Sequence, residues 1–455
     1  MKTEKIITKA AEAPAKALEN AIVKSEKALA SINRPLQEAE GYWYAVGPGL
    51  TTGASDDDPS GVVTYTQAGA KYGYSFLWLS WLTFPLMGVI QEMCARIGMA
   101  TGRGLAGNIR MRYSKHVLYV LVLILFVANT INLGADLGAM SKSAQLILPG
   151  VSYITFLFVF AIISLGLQIF VSYSRYAKFL KYLSFVLFLY IATALTLDNL
   201  PWGEILKTTV LPKFAFSRDT ILIITAILGT TISPYLFFWQ TSQEVEERRQ
   251  SGKFIAKAQH QVLANKQVNR MRFDVWFGML FSNVIMFFVI VTSAAVLFPQ
   301  GIEINSAEEA AKALLPLAGN QAYTLFALGI IGTGLLAVPV LAGSSAYALA
   351  ETFHWTFGFS KGLKHAHAFY GVIIIAFIIG LLINLININP ITALIYSAVL
   401  NGLAAPIIMY FILKISGDKT LMGRWVNGNW SRVIGWGATV IMTVAAVATL
   451  ASFII

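Results

Sequence analysis

Residues 47–65 read Gly-Pro-Gly-Leu-Thr-Thr-Gly-Ala-Ser-Asp-Asp-Asp-Pro-Ser-Gly-Val-Val-Thr-Tyr, and the reading of the whole chain turns on them. Asp56, Asp57 and Asp58 sit midway along a stretch long enough to cross a bilayer. An Asp at the centre of a membrane helix costs about 2.5–3.5 kcal/mol, so three in a row must face protein or water. Pro59 removes a backbone donor and Gly61 tolerates unusual dihedrals, so a helix is expected to break here. A break at mid-depth would set free carbonyls beside carboxylates, which together make a cation site. An extramembrane turn between two short helices is the plainer alternative. The Gly- and Ala-rich flanks, suited to close helix packing, weigh against it.

The composition fits a membrane protein. The chain has 455 residues, of which 56% are hydrophobic and 13% charged, and its mean hydropathy is +0.65. A soluble domain carries about 25% charged residues. With Cys94 as the single cysteine, no intramolecular disulfide can form, and the five histidines show no zinc-type spacing with it. The formal charge of +11 could suggest nucleic acid, but its distribution points to topology.

Eleven apolar stretches lie near 44–70, 75–99, 115–140, 151–171, 176–196, 219–241, 273–298, 322–350, 366–388, 391–415 and 434–455. Most of the 34 Lys and Arg residues fall on the N-terminal segment and on the loops sharing its side. The positive-inside rule then predicts a cytoplasmic N-terminus and an extracellular or periplasmic C-terminus, in a multi-pass protein of the cell membrane. Nucleic acid has no place in this reading. Residues 1–43 are polar and lysine-rich, with Leu18, Ile22, Leu29 and Ile32 at helical spacing. They read either as an amphipathic helix along the inner leaflet or as a solubilising tail.

The sixth stretch has its own interruption, Leu228-Gly229-Thr230-Thr231-Ile232-Ser233-Pro234-Tyr235. Breaks in spans 1 and 6, five spans apart, place two copies in opposite orientation. The expected architecture is an all-α polytopic protein with two inverted five-helix repeats, residues 44–196 and 219–415, and helix 11 at 434–455. The site is expected between the two breaks.

Gly47-Pro48-Gly49, Asp58-Pro59, Gly69-Ala70, Gly73-Tyr74, Leu77-Trp78, Ala95-Arg96 and Thr101-Gly102 together resemble the first two helices of the Nramp family of divalent-metal transporters. The resemblance in spacing and hydropathy extends over nearly the whole chain after residue 43. It implies a LeuT-like fold and a metal site built from an Asp, an Asn, a Met sulfur and a backbone carbonyl. Carried across, the Asp is Asp58 and the carbonyl belongs to Thr230, whereas Gly61 stands for the Asn and Ser233 for the Met. The family's sixth-helix His is Tyr235, its third-helix Asp is Asp136, the Glu that follows is Ala139, and a tenth-helix Gln is Ala398.

These departures shape the expected substrate. Thioethers select soft transition metals, while carboxylate, hydroxyl and water oxygens suit Mg²⁺ or Mn²⁺. An all-oxygen site of Asp58, Thr230 and Ser233, with Asp56 and Asp57 adding charge and Gly61 leaving room, fits a hydrated Mg²⁺ ion. The pattern is similar to the Nramp-related magnesium transporters. The expected function is alternating-access transport of Mg²⁺, with Mn²⁺ accepted and without proton coupling, since two titratable stations are replaced. No cofactor beyond the transported ion, no enzymatic activity and no obligate protein partner are expected; the partners are the ion and the lipid bilayer. The rivals are a proton-coupled Mn²⁺/Fe²⁺ symporter, an organic-substrate symporter, which the aspartates disfavour, and a non-transporting membrane sensor.

Other motifs have simpler readings. Glu92 and Arg96, four apart, read as an ion pair along one helix. Gly102-Arg103-Gly104-Leu105-Ala106-Gly107 matches a dinucleotide fingerprint but follows a membrane helix rather than a strand, which excludes that role. Glu244, Glu246 and Glu247 read as a solvated face or a cation attractor. Asp136 reads as a proton acceptor or a hydrogen-bonded packing carboxylate. Asn129, Asn132, Gln240, Asn384 and Asn401 read as interhelical hydrogen-bonding groups.

Overall fold

The structure is a computed structural model describing residues 47–171, 187–197, 200–212, 215–250, 263–302, 304–315, 319–386 and 389–453. The expected N-terminal segment 1–43 and the first half of the fifth stretch lie outside these residues. Every regular element described is helical, and among the described residues nine helical runs are long and apolar enough to cross a membrane. The first run, Pro59–Thr101, takes in two of the expected stretches, so the nine account for ten of the eleven. The fifth is represented by a short helix, Phe188–Thr196.

Both expected interruptions are present, and they match. Helix α1 (Pro48–Asp56) stops two residues before α2 (Pro59–Tyr72). Further on, α9 (Arg218–Thr231) stops two residues before α10 (Pro234–Gln250). In each case a proline takes the first position of the second half, where its missing N–H is no loss and its fixed φ suits a helix. Asp58 is the N-cap of α2, in extended conformation, and its side chain accepts from the Gly61 N–H.

Between the breaks run α3 (Leu77–Thr101), α4 (Leu105–Arg112), α5 (Lys115–Ile147), α6 (Tyr153–Phe170), α7 (Phe188–Thr196) and α8 (Trp202–Val210). After the second break come α11 (Asn265–Val296), α12 (Ala307–Ala311), α13 (Ala322–Phe353), α14 (His367–Asn384), α15 (Pro390–Ser416), α16 (Lys419–Met422) and α17 (Asn429–Ser452). Local sequence sets many of the starts. Ser114, Ser152, Ser217 and Ser306 each cap a helix through the side-chain oxygen. Pro85, Pro339 and Pro406 lie inside helices, as membrane spans tolerate.

The packing follows the expected pseudo-symmetry. The first broken helix lies against α11, and the second lies against α3, its counterpart in the other repeat. The self-paired contacts α3–α11 and α5–α13 fill the middle. The broken helix α9–α10 is the most enclosed of the spanning runs, while α6 and α17 are peripheral. The periphery exposes large apolar side chains such as Leu123, Ile162 and Val444, the surface a lipid solvent requires.

Two local readings are corrected by tertiary packing. Glu92 does not pair with Arg96. It accepts from Arg272 Nε and Trp276 Nε1 of α11, each at 2.9 Å, while Arg96 donates to Asn427 Oδ1 at 2.7 Å. An intrahelical pair suits an exposed helix face, and α3 is buried here on several sides. Glu244 and Glu246 are not on a solvated face; both are buried. Glu244 accepts from Gln240 at 2.9 Å, and Glu246 accepts from the Ser360 N–H at 2.7 Å and from the Tyr347 hydroxyl.

Candidate metal site at the two helix breaks

None of Asp56, Asp57 and Asp58 is exposed to solvent, and the backbone turn at the break sends them different ways. Asp58 faces its own helix start. Its Oδ1 accepts from the Gly61 N–H at 2.8 Å and from Ser60 Oγ at 2.5 Å. Its Oδ2 accepts from Asn132 Nδ2 on α5 at 2.9 Å. Asn132 in turn accepts from Ser397 Oγ on α15 at 2.6 Å. One hydrogen-bonded chain thus joins α2, α5 and α15 at the level of the break.

Asp56 and Asp57 turn toward α11, where Ser282 Oγ lies 2.5 Å from Asp56 Oδ2 and 3.3 Å from Asp57 Oδ1. A hydroxyl has one proton, so one of these contacts at a time is a hydrogen bond. The other oxygens, Asp56 Oδ1 and Asp57 Oδ2, are buried with no protein partner among the described residues. The three carboxylates therefore do not converge. Among the described residues no group of three or more His, Cys, Asp and Glu side chains is arranged to hold a metal ion.

The second break contributes oxygens at close range. Thr230 Oγ1 is 3.2 Å from Ser60 Oγ, and Thr231 Oγ1 is 3.0 Å from the Tyr65 hydroxyl. Ser233 Oγ folds back on the end of α9, 2.6 Å from the Gly229 carbonyl and 2.7 Å from the Thr230 carbonyl. It serves there as a local cap for groups the helix end leaves unpaired. The Thr230 carbonyl proposed as a ligand thus lies under the Ser233 hydroxyl. A thioether lies nearby, Met286 Sδ, 3.9 Å from Thr231 Oγ1.

Gly61 does not open the site as its missing side chain suggested. A Cβ placed there would lie 3.0 Å from the Asp56 carbonyl oxygen, 3.2 Å from Thr230 Oγ1 and 3.4 Å from the Tyr65 ring. The space has been taken by the neighbouring turn and by α9. Asp136 also departs from the packing-carboxylate reading, because both its oxygens are buried without a protein partner among the described residues. The groups that sequence reasoning left out of the site are Ser60, Asn132, Ser282 and Ser397. Asn132 and Ser282 carry a polar signal in otherwise apolar spans, and that signal could have found them.

Along α11, Asp274, Gly278 and Ser282 recur every fourth residue and grip α1 over its length. Asp274 accepts from the Gly49 N–H at 2.7 Å and the Leu50 N–H at 3.3 Å, which caps the start of α1 from another helix. A Cβ on Gly53 would come 2.1 Å from the Gly278 carbonyl oxygen. A second carboxylate cap lies in the Gly-rich segment after α3. Glu351 accepts from the Gly104 N–H at 2.6 Å and the Gly107 N–H at 3.0 Å. The glycines of the rejected dinucleotide fingerprint therefore cradle a carboxylate of the chain itself.

Comparison with known proteins agrees with this architecture. The chain is 25% identical over 404 residues to the divalent metal cation transporter MntH of Klebsiella pneumoniae (strain 342), covering 86% of this chain and 90% of that protein. It superimposes on a manganese transporter of Eremococcus coleocola with a TM-score of 0.72 at 16% identity, over 90% of this chain and 86% of that one. It also superimposes on MhsT in complex with L-phenylalanine, with a TM-score of 0.55 at 12% identity, over 90% and 98% of the two chains. These two likenesses show the LeuT-like inverted-repeat fold. The profile of the natural resistance-associated macrophage protein-like (Nramp) family matches residues 49–452, and the chain belongs to that family.

Proposed function

We propose that this protein is a divalent metal cation carrier working by alternating access, with Mg²⁺ preferred and Mn²⁺ accepted. Family membership and relatives described as divalent metal cation transporters support the transport of a divalent ion. The observation that carries the ion preference is the chemistry around the carboxylates at the breaks. Their hydrogen-bond partners are hydroxyls, an amide and a backbone N–H, and the position expected to hold a thioether is Ser233. Oxygen donors suit a hard cation, and Mg²⁺ keeps several of its waters when bound.

Asp58 is the electrostatic anchor in this reading. An arriving ion would compete with the Asn132 and Ser60 donors for its oxygens. Asp56 and Asp57 hold negative potential on the α11 side through oxygens that have no protein partner. Thr230 and Ser233 add oxygen from the second break once the Ser233 hydroxyl turns off the Thr230 carbonyl. The Lys and Arg distribution supports a cytoplasmic N-terminus in a protein of the cell membrane. Inward movement of a divalent ion is then driven by its gradient and by about 2.3 kcal/mol per charge per 100 mV.

Coupling to protons is a second reading, favoured by one observation. Asp136 is buried without a protein partner among the described residues, as a group that changes protonation would be. Against it, Tyr235 is bonded to a backbone carbonyl, and Ala139 offers no onward acceptor. The test is internal pH in proteoliposomes during Mg²⁺ or Mn²⁺ influx, with the potential clamped by K⁺ and valinomycin. Metal entry without acidification is expected. Acidification that tracks metal entry and vanishes in Asp136→Asn would establish the proton-coupled reading instead. Absence of any metal entry would remove the transport function.

A further inference from the structure

Asn401 on α15 is fully buried, and neither its Oδ1 nor its Nδ2 has a protein hydrogen-bond partner among the described residues. Burying an amide with both halves unbonded is unfavourable, and an apolar side chain of the same size would pack there without that cost. Its neighbours on the helix show where it points. Ser397, four residues earlier and so on the same face, bonds to Asn132 of α5. Ala398 and Gly402 press on α9, since a Cβ on Gly229 would lie 2.1 Å from the Ala398 carbonyl oxygen and 2.4 Å from the Gly402 nitrogen. Asn401 falls between these two directions, facing the seam between α5 and the α9–α10 break.

The level of Asn401 along the bundle can also be fixed. A Cβ on Gly138 of α5 would approach Pro390 at the start of α15, whereas Asn132 reaches Ser397. The two helices therefore run antiparallel. Asp136 lies about one turn, ~5.4 Å, to one side of the Asp58–Asn132–Ser397 chain, and Asn401 lies about one turn to the other. Asp136 and Asn401, both buried without a protein partner among the described residues, thus bracket the candidate ion position.

We infer that Asn401 is a further binding residue for the transported cation, its amide oxygen accepting from a water that the hydrated divalent ion retains, on the side of Asp58 opposite Asp136. The inference rests on the proposed transport function. It follows from hard-ion chemistry: an ion that keeps part of its shell is held through its waters, and an amide can take one water proton while its N–H₂ donates to a second oxygen.

The test compares initial rates of Mg²⁺ and Mn²⁺ uptake into proteoliposomes across ion concentrations for wild type, Asn401→Leu, Asn401→Asp and Asp58→Ala. Asn401→Leu keeps the size and removes both polar atoms. It is expected to raise KM by on the order of 10–100-fold, the range for loss of an outer-shell partner of a metal, with an unchanged size-exclusion profile. Asn401→Asp restores an oxygen and is expected to keep KM at or below the wild-type value. A packing amide would give the opposite order, because a buried carboxylate is harder to accommodate than a leucine. A wild-type KM in Asn401→Leu overturns the inference, and so does an Asn401→Asp no better than Asn401→Leu. Asn401→Ser replaces the leucine variant if that fails to fold. Wild-type protein that moves neither ion ends the transport reading and this inference together. Flux lost in Asp58→Ala beside a wild-type KM in Asn401→Leu removes the role of Asn401 alone.

Discussion

The hydroxyl of Tyr235, at the start of α10, donates to the carbonyl of Ser55, the penultimate residue of α1, at 2.7 Å. This bond ties the two broken helices together and satisfies one of the carbonyls that the end of α1 leaves unpaired. The same hydroxyl stands 3.4 Å from Asp58 Oδ2, but its one proton is already engaged.

Tyr235→Phe should therefore lower stability by about 1–3 kcal/mol, the cost of leaving a buried acceptor unsatisfied, while Asp58 keeps its bonds to Ser60, Gly61 and Asn132. Thermal unfolding in detergent, with and without Mn²⁺, checks this. Unfolding at the wild-type temperature would show that Ser55 finds another donor.

Asp58→Ala should abolish cation transport. It should also destabilise the protein, because Asp58 is the N-cap of α2; loss of such a cap costs about 0.5–2 kcal/mol. Asp58→Asn keeps a capping oxygen and is expected to be the more stable of the two, and equally inactive. Uptake assays beside unfolding temperatures separate the roles, and near wild-type flux in either variant would sink the proposed site.

Ser233→Met should raise affinity for Cd²⁺ relative to Mg²⁺, because it adds a soft donor and frees the Thr230 carbonyl from the Ser233 hydroxyl. Adding Gly61→Asn should not help, since the space beside Gly61 is already filled by Asp56, Thr230 and Tyr65. Isothermal titration with both ions decides. Unchanged Cd²⁺ affinity in Ser233→Met would place residue 233 outside the ion's surroundings.

Gly104→Ala should be destabilising, because its Cβ would fall 2.4 Å from a Glu351 carboxylate oxygen and push that side chain off the two N–H groups it accepts from. Glu351→Ala also loses stability, by removing the acceptor of two backbone N–H groups. The double variant should cost less than the sum of the two, as expected when one change relieves the clash made by the other. Additive losses in a double-mutant cycle would argue against the cradle.

How far the sequence could be read depended on whether the information was local. Pro59 and Pro234, each at the first position of a half-helix, announce both breaks within a few residues, and the spacing of the breaks yields the repeat. The positions of Asp58 and Thr230 beside those breaks are legible for the same reason. The direction of Asp56 and Asp57 is not, because a turn of two residues rotates each side chain differently and Ser282, their partner, is more than 200 residues away. Glu92 and Arg96 misled because helical spacing describes an isolated helix, whereas Arg272 and Asn427 compete for them in the fold. Gly61 misled differently: a missing side chain makes room only if the backbone around it does not close in.

The stripe of Asp274, Gly278 and Ser282 bears on what can move. It holds the beginning, the middle and the end of α1, and at the middle the two backbones approach too closely to admit a methyl group. A nine-residue segment splinted at three points cannot swing by itself. In the proposed carrier, movement at the first break therefore takes α11 along with α1 or first breaks the Asp274 bonds at the amino end of α1. Spin labels on α1 and α11 should keep one mutual distance while both change theirs to α5 as ion is added. A change between α1 and α11 alone would show the splint unfastened.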